Sequence, residues 1–387
     1  MTIAVFESRL GNFGGGGRHA LRAAIALAGQ NDVEMWHTGQ VDPEALRARW
    51  NVPLERIRLV GVPDDDAAIS ARTAGLDGFI NAAQGRFIHP RAKRSVFLSF
   101  FPTGIDLSAG GRMRWGAGSV LRVARLGRAL PPTLRARLSV LPTRAQVRAL
   151  AAYDAVWVNS AYSQRWATHY WHRDAEILYP PIDPVAPLPK TPTILHVGRF
   201  FVGGHNKRHD VLIEAFRALL ARLPSGAPWR LVLAGSITPG DEHHGYARHI
   251  EALAAGLPVD LRFAPSHHEI TGLIGRAALY WHAAGYGVDL QRYPDRAEHF
   301  GMSIVEAMTA AAVPVVFGAG GPAEIVTDGV DGQHWQTPAA LVEQSLRLID
   351  DPPLRERLGA AARLRSAAFT LEAFDARTRA LWAWVTR

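Results

Sequence analysis

Between Tyr179 and Pro192 the chain reads Tyr-Pro-Pro-Ile-Asp-Pro-Val-Ala-Pro-Leu-Pro-Lys-Thr-Pro, six prolines in fourteen residues. Each proline fixes φ, removes a backbone donor and disfavours the α conformation in the residue before it, so this stretch is expected to continue neither a helix nor a central strand. It therefore reads as a connector. The chain is expected to divide into a first domain at 1–180, a linker at 181–192, a second domain at 193–368 and a terminal helix at 369–387. Two domains also suit a chain of 387 residues, more than one hydrophobic core usually supports.

Short apolar runs alternate with helical patterns on both sides of the prolines. Ile3–Glu7, Val33–His37 and Ala155–Asn159 precede them; Thr193–Val197, Arg230–Ala234, Leu279–His282 and Val313–Phe317 follow. Strands separated by helices predict α/β architecture with parallel sheets, here two doubly wound, Rossmann-like domains facing each other across a cleft, with ligands at the carboxyl ends of the strands. The last segment, Leu371 to Trp384, is amphipathic and rich in aromatics. It either crosses back to the first domain or forms an ordinary terminal helix.

Composition narrows the chemistry. The chain has no cysteine, which excludes disulfides, thiolate nucleophiles and cysteine-bound metals. An apolar strand begins at Thr2, ahead of which no signal peptide fits, and the apolar run from Ser95 to Ile105 is too short to span a bilayer, so a cytoplasmic location is expected. The net charge of +8 is concentrated. From Arg91 to Arg148 there are twelve basic residues (Arg91, Lys93, Arg94, Arg112, Arg114, Arg122, Arg125, Arg128, Arg135, Arg137, Arg144 and Arg148) against one acid, Asp106. Such a block suits an anionic membrane surface, a phosphorylated acceptor or nucleic acid, or it is a solvated surface. Aromatics are not interleaved with these arginines as a nucleic-acid stacking platform requires, so nucleic acid is the less expected partner.

Three motifs carry chemistry. Gly14-Gly-Gly-Gly17-Arg18-His19 follows the first strand and opens a helix over Ala20–Ala28; the backbone at Gly15, Gly16 and Gly17 can approach a phosphate or an acceptor. A dinucleotide fingerprint is excluded despite Glu34 twenty residues after Gly14, because position 19 is His19 and not glycine. A plain βα turn is the alternative. The second motif, His196-Val-Gly-Arg199, leads through a glycine-containing loop to Lys207 and a helix with apolar Val211, Leu212, Ala215, Phe216 and Leu219. Arg199 offers a forked cation and Lys207 a point cation in a strand-to-helix loop, the pair a diphosphate needs. Solvated loop cations are the bland reading.

The third motif is Glu298-His-Phe-Gly-Met-Ser-Ile-Val-Glu306, followed by a strand and the loop Gly318-Ala-Gly-Gly-Pro-Ala-Glu324. Two carboxylates bracketing a helix start can accept from vicinal hydroxyls, while free amides from Phe300 to Ser303 face an anion. Ser303-x-x-Glu306 also fits a capping box, in which Glu306 merely caps the helix. Asp64-Asp-Asp66 suggests a metal pair but reads as a surface loop, and the pairs His243-His244 and His267-His268 lack partners at zinc spacing, so no metal or other cofactor is expected.

Gly198-Arg199, Lys207 and the Glu298/Glu306 pair, in this order, resemble the family 4 retaining glycosyltransferases of GT-B fold, over about Thr193 to Asp331 and more weakly elsewhere. The run Tyr280-Trp-His-Ala-Ala-Gly-Tyr-Gly287 is similar to the branch that includes mannosyltransferases acting on lipid-linked oligosaccharides. The resemblance implies a catalytic group of Glu298, Arg199 and Lys207. It also implies a donor site of Gly198, Arg199, Lys207, Glu298, Phe300, Gly301, Met302, Ser303 and Glu306. In that site Arg199 and Lys207 hold the diphosphate, Glu298 the sugar hydroxyls and Glu306 the ribose. The implied activity is retaining, metal-independent transfer of a hexose, mannose from GDP-mannose or another sugar from a UDP-sugar, to a glycan or lipid-linked acceptor. Relatives often carry a histidine where Phe100 stands in Ser99-Phe-Phe-Pro-Thr103, and His19 or His89 is a candidate substitute. A polyanion-binding protein with a degenerate donor site, or an epimerase or phosphorylase on the same fold, is the alternative.

Overall fold

The first sheet has seven parallel strands in the order β3-β2-β1-β4-β5-β6-β7. These are β1 (Thr2–Phe6), β2 (Asp32–His37), β3 (Arg58–Gly61), β4 (Gly78–Asn81), β5 (Arg94–Ser99), β6 (Ala155–Val158) and β7 (Glu176–Ile177). The second has six, ordered β10-β9-β8-β11-β12-β13: β8 (Thr191–Val197), β9 (Arg230–Gly235), β10 (Val259–Phe263), β11 (Ala277–His282), β12 (Val313–Phe317) and β13 (Gln333–Trp335). Both are wound outward from their first strand, so each has a switch point, between β1 and β4 and between β8 and β11. Loops leaving the two strands at such a point diverge and open a crevice. This computed structural model describes residues 1–12, 14–111 and 142–387.

The chain divides into two units, Met1–Tyr179 with Phe374–Arg387, and Pro180–Ala373. Residues 181–192 lie in the second unit. Val185 N–H donates to the Thr309 hydroxyl at 2.9 Å, and the Lys190 ammonium donates to the carbonyls of Gly275 (3.0 Å) and Ala310 (2.6 Å). Strand β8 already includes Pro192, against the expectation of no strand there. The proline is tolerated because the register to β11 slips at that point, passing from Thr191 opposite Ala277 to Ile194 opposite Leu279, and pairing with β9 starts only at Thr193.

In the first unit, helix α1 (Gly15–Leu27) begins five residues earlier than expected, the glycines themselves forming its first turn. The terminal helix, Leu371–Val385, contributes Phe374, Leu381, Trp382 and Val385 to this unit's core, and Trp382 fills the space a side chain at Gly78 would need. Asp64 and Asp66 are held by the Arg86 guanidinium at 2.5 Å each, and Asp65 caps the helix that follows, so this acidic run is a structural network. Glu34 accepts from Arg58 and the Trp36 indole. Of the basic block, Arg112, Arg114, Arg122, Arg125, Arg128, Arg135 and Arg137 lie outside the described residues.

Candidate functional site

The site of the second unit is built at its switch point. The loop from Gly198 to Arg208 leaves β8, and the segment from Ala283 to Gly301 leaves β11. Glycine is required where these elements press together. A Cβ at Gly198 would lie 2.8 Å from both His196 Nε2 and Lys207 Cγ, and one at Gly235 would lie 2.1 Å from the Gly198 carbonyl oxygen. Lys207 can therefore run alongside the strand end, toward β11.

There its ammonium forms an ion pair with Glu298 Oε2, both side chains being largely buried. The same oxygen lies 3.2 Å from Nε2 of His282, the last residue of β11. Burial alone would push the Glu298 carboxyl up, but Lys207 and the His282 hydrogen bond outweigh it and hold the group well below the carboxylate range. Burial pushes His282 down despite Glu298, so the ring is neutral. His196 and His209, buried behind Lys207, are likewise pushed down by burial.

Glu298 is held from behind by glycines. Gly321 N–H donates to the Glu298 carbonyl at 2.8 Å; a Cβ at Gly320 would lie 2.5 Å from that oxygen, and one at Gly321 2.4 Å from Phe300 Cα. The loop after β12 is thus glycine-rich because it lies backbone against backbone on the 298–300 segment. Gly301, with φ of +114°, turns the chain into helix α2 of this site (Met302–Thr309). The amides of Met302 and Ser303 donate to no protein group among the described residues, as expected at a helix start.

The capping box is overturned. Gly301 is the N-cap and makes no side-chain cap, and Ser303 lies two positions past it, inside the helix. Its hydroxyl donates to the Val197 carbonyl at 3.2 Å and accepts from the Tyr280 hydroxyl at 2.7 Å, tying α2 to the ends of β8 and β11. Glu306 is half-buried just over a turn inside the helix. Phe300 points into the core, its ring 5.5 Å from that of Phe369. Arg199 is exposed, its guanidinium 5.4 Å from the Phe201 ring and apart from the Lys207–Glu298 pair.

Residues 182–365 match the family model described as Glycosyl transferases group 1. This part of the chain is a group 1 glycosyltransferase domain. A relative, the lipopolysaccharide core biosynthesis mannosyltransferase LpcC of Rhizobium leguminosarum bv. viciae, is 31% identical over 139 residues, 35% of this chain and 36% of that protein. The match thus spans about a third of the relative's length. The fold is that of two solved structures. A glycosyltransferase from Rickettsia africae has a TM-score of 0.70 at 15% identity, covering 100% of this chain and 98% of its own. Anabaena HepE in complex with UDP has a TM-score of 0.70 at 16% identity, covering 99% and 100%. With its two parallel-sheet units the chain has the GT-B fold.

The structure brings together Glu298, Lys207 and the helix start that the sequence singled out, and adds to them His282, Tyr280 and Gly320 with Gly321, which it did not name as site residues. His282 and Tyr280 stand at the end of a strand whose alternation says only that it is buried. In the first unit, Gly15, Gly16 and Gly17 form the uncapped start of α1 at that sheet's own switch point; Gly17 packs on Trp50 and Leu10, and a Cβ at Gly16 would lie 2.6 Å from the Phe100 ring. His19 is 1% exposed between the rings of Phe100 (5.5 Å) and Phe374 (5.2 Å), with neither nitrogen partnered among the described residues, while His89 is exposed. No helix of the described residues is long and apolar enough to cross a membrane.

Proposed function

We propose that this chain is a retaining glycosyltransferase of family 4 type that moves a hexose, mannose as the first choice, from a nucleoside-diphosphate sugar to a glycan or lipid-linked acceptor, without a metal. The observation that carries the reading is the ionised Glu298 locked on Lys207 beside the free amides of Met302 and Ser303. Departure of the nucleotide builds negative charge on its terminal phosphate. Lys207, the exposed Arg199 and the positive end of α2 are fixed groups that stabilise that charge where a metal would otherwise be needed. Glu298 accepts from hydroxyls of the transferred sugar and Glu306 from the ribose. Transfer with retention then follows by attack on the face the phosphate leaves, with that phosphate taking the acceptor proton. Mannose is supported by the name of the Rhizobium leguminosarum relative, and a UDP-sugar by the HepE complex. Arg91 to Arg148 would hold an anionic acceptor or the cytoplasmic membrane face.

A thermal-shift screen against GDP-mannose, UDP-glucose and related sugar nucleotides tests the reading, since a ligand at a hundred times its dissociation constant stabilises by about 2.7 kcal/mol. Stabilisation by a sugar nucleotide in EDTA, lost in Arg199→Ala and Glu298→Ala, is the expected result. Full transfer activity in either variant would show the site assignment to be wrong. Binding only of polyanions, with steep salt dependence, would point instead to the Arg91–Arg148 block.

A further inference from the structure

His282 is 1% exposed and, among the described residues, has one polar neighbour at its ring, Glu298. Nδ1 is buried with no partner among the described residues, and the backbone carbonyl accepts from the Trp335 indole at 3.2 Å, so ring and main chain are both held. A carboxylate can only accept, which places the His282 proton on Nε2. Glu298 Oε2 is therefore engaged twice, by Lys207 and by His282, while Oε1 has no protein partner among the described residues on a side chain that is 18% exposed.

We propose that His282 is a positioning residue that turns the Glu298 carboxylate so that Oε2 is committed inward and Oε1 alone is presented to the transferred sugar. This rests on the reading of Glu298 as the acceptor of sugar hydroxyls. Lys207 by itself does not fix the carboxylate plane, because an ammonium on a flexible stem can follow either oxygen. The His282 donor, rigid on a central strand, can engage only one. An oxygen fixed in this way distinguishes sugars by where their hydroxyls lie, whereas a freely turning carboxylate would accept from several arrangements. His282 thus contributes to selection among epimeric sugars and little to recognition of the nucleotide.

The test compares wild type, His282→Phe, which keeps the ring volume and removes the donor, and His282→Gln, whose amide restores one. Calorimetry is run with GDP, GDP-mannose and GDP-glucose, and with UDP, UDP-glucose and UDP-galactose. Expected in His282→Phe are an about tenfold loss of affinity for the preferred sugar nucleotide, a narrowed ratio between epimers and bare nucleotide affinity within about twofold of wild type. His282→Gln recovers most of the loss and the epimer ratio. Wild-type affinity and ratio in His282→Phe would overturn the proposal. Nitrogen NMR of the imidazole examines the pairing without any ligand. It should show the Nε2–H tautomer, with a shift that moves in Glu298→Ala; an Nδ1–H tautomer, or a signal indifferent to Glu298, overturns the proposal even if donor binding is as described. If wild type binds no sugar nucleotide, the donor reading fails, and the role of His282 in sugar selection fails with it.

Discussion

Lys207 and Glu298, 91 residues apart in the chain, meet in an ion pair with side chains 17% and 18% exposed. The two loops that bring them together leave β8 and β11, neighbours in the sheet at its switch point. A largely buried pair is worth little against an apolar substitute, but breaking it from one side strands the other charge.

Lys207→Met is therefore expected to lower the stability of the second unit by about 1–3 kcal/mol, because among the described residues Glu298 keeps only His282. Glu298→Gln should cost a similar amount. The double variant should cost clearly less than the sum. Urea titrations of the three proteins measure this, and strict additivity would mean that the pair is not formed in solution.

Gly321→Ala tests the support behind Glu298. The new Cβ would lie 2.4 Å from Phe300 Cα, main chain that cannot swing aside, so about 1–3 kcal/mol of destabilisation and a loss of sugar-nucleotide binding are expected. Gly329→Ala is the control. Gly329 has φ of +72° but nothing within 4 Å of a Cβ, so it should cost about 1 kcal/mol through backbone strain alone and leave binding intact.

Trp382→Ala is expected to destabilise the first unit by about 3–5 kcal/mol, since the indole is 4% exposed in its core and a cavity against Gly78 would remain. Limited proteolysis should then cut between Met1 and Tyr179 faster than in wild type. Unchanged cleavage there would mean that the terminal helix does not stabilise this unit.

What was legible in the chain follows from where its signals are local. Strands such as β6 and β11, buried from end to end, stand out as apolar runs. β3 and β10 at the sheet edges carry charges such as Arg58, Asp260 and Arg262 and do not. The sequence pattern starts the first helix at Ala20 and not at Gly15, because propensity counts against glycine, whereas Gly16 packs close under Phe100, 2.6 Å from where a Cβ would lie, and Gly17 lies against Trp50. Ser303 shows how a local motif misleads: serine three residues before glutamate reads as a cap, yet the turn at Gly301 sets the helix start and frees the hydroxyl for Val197 and Tyr280. The partner of Glu298 on β11 is a tertiary fact, invisible in spacing.

The two units should respond differently to acid. In the second, burial lowers His209 and His299 to about 3 and lowers His196, His205 and His282 as well. Burial favours the neutral form of each in the fold, whereas the unfolded chain takes up a proton below about pH 6.5, so each removes stability on acidification, His209 and His299 by up to about 1.4 kcal/mol per pH unit between about 6.5 and 3. Glu298 adds to the loss at the acid end, because its depressed value contributes stability that disappears as the carboxylate is protonated. In the first unit His19, lowered to about 3 by burial, pulls the same way, but burial raises Glu7 to about 7. A raised carboxyl costs stability as the pH climbs from about 4.5 to 7, so on acidification Glu7 returns about what His19 removes. Hydrogen exchange at pH 7.0, 6.0 and 5.0, corrected for intrinsic rates, should show peptides from Pro180–Ala373 losing protection steeply while those from Met1–Tyr179 change little. Equal slopes in the two units would mean that the buried histidines of the second are reached by water or partnered in solution. His209→Phe, which keeps the stack on Phe200, should flatten the second unit's slope by one histidine's share.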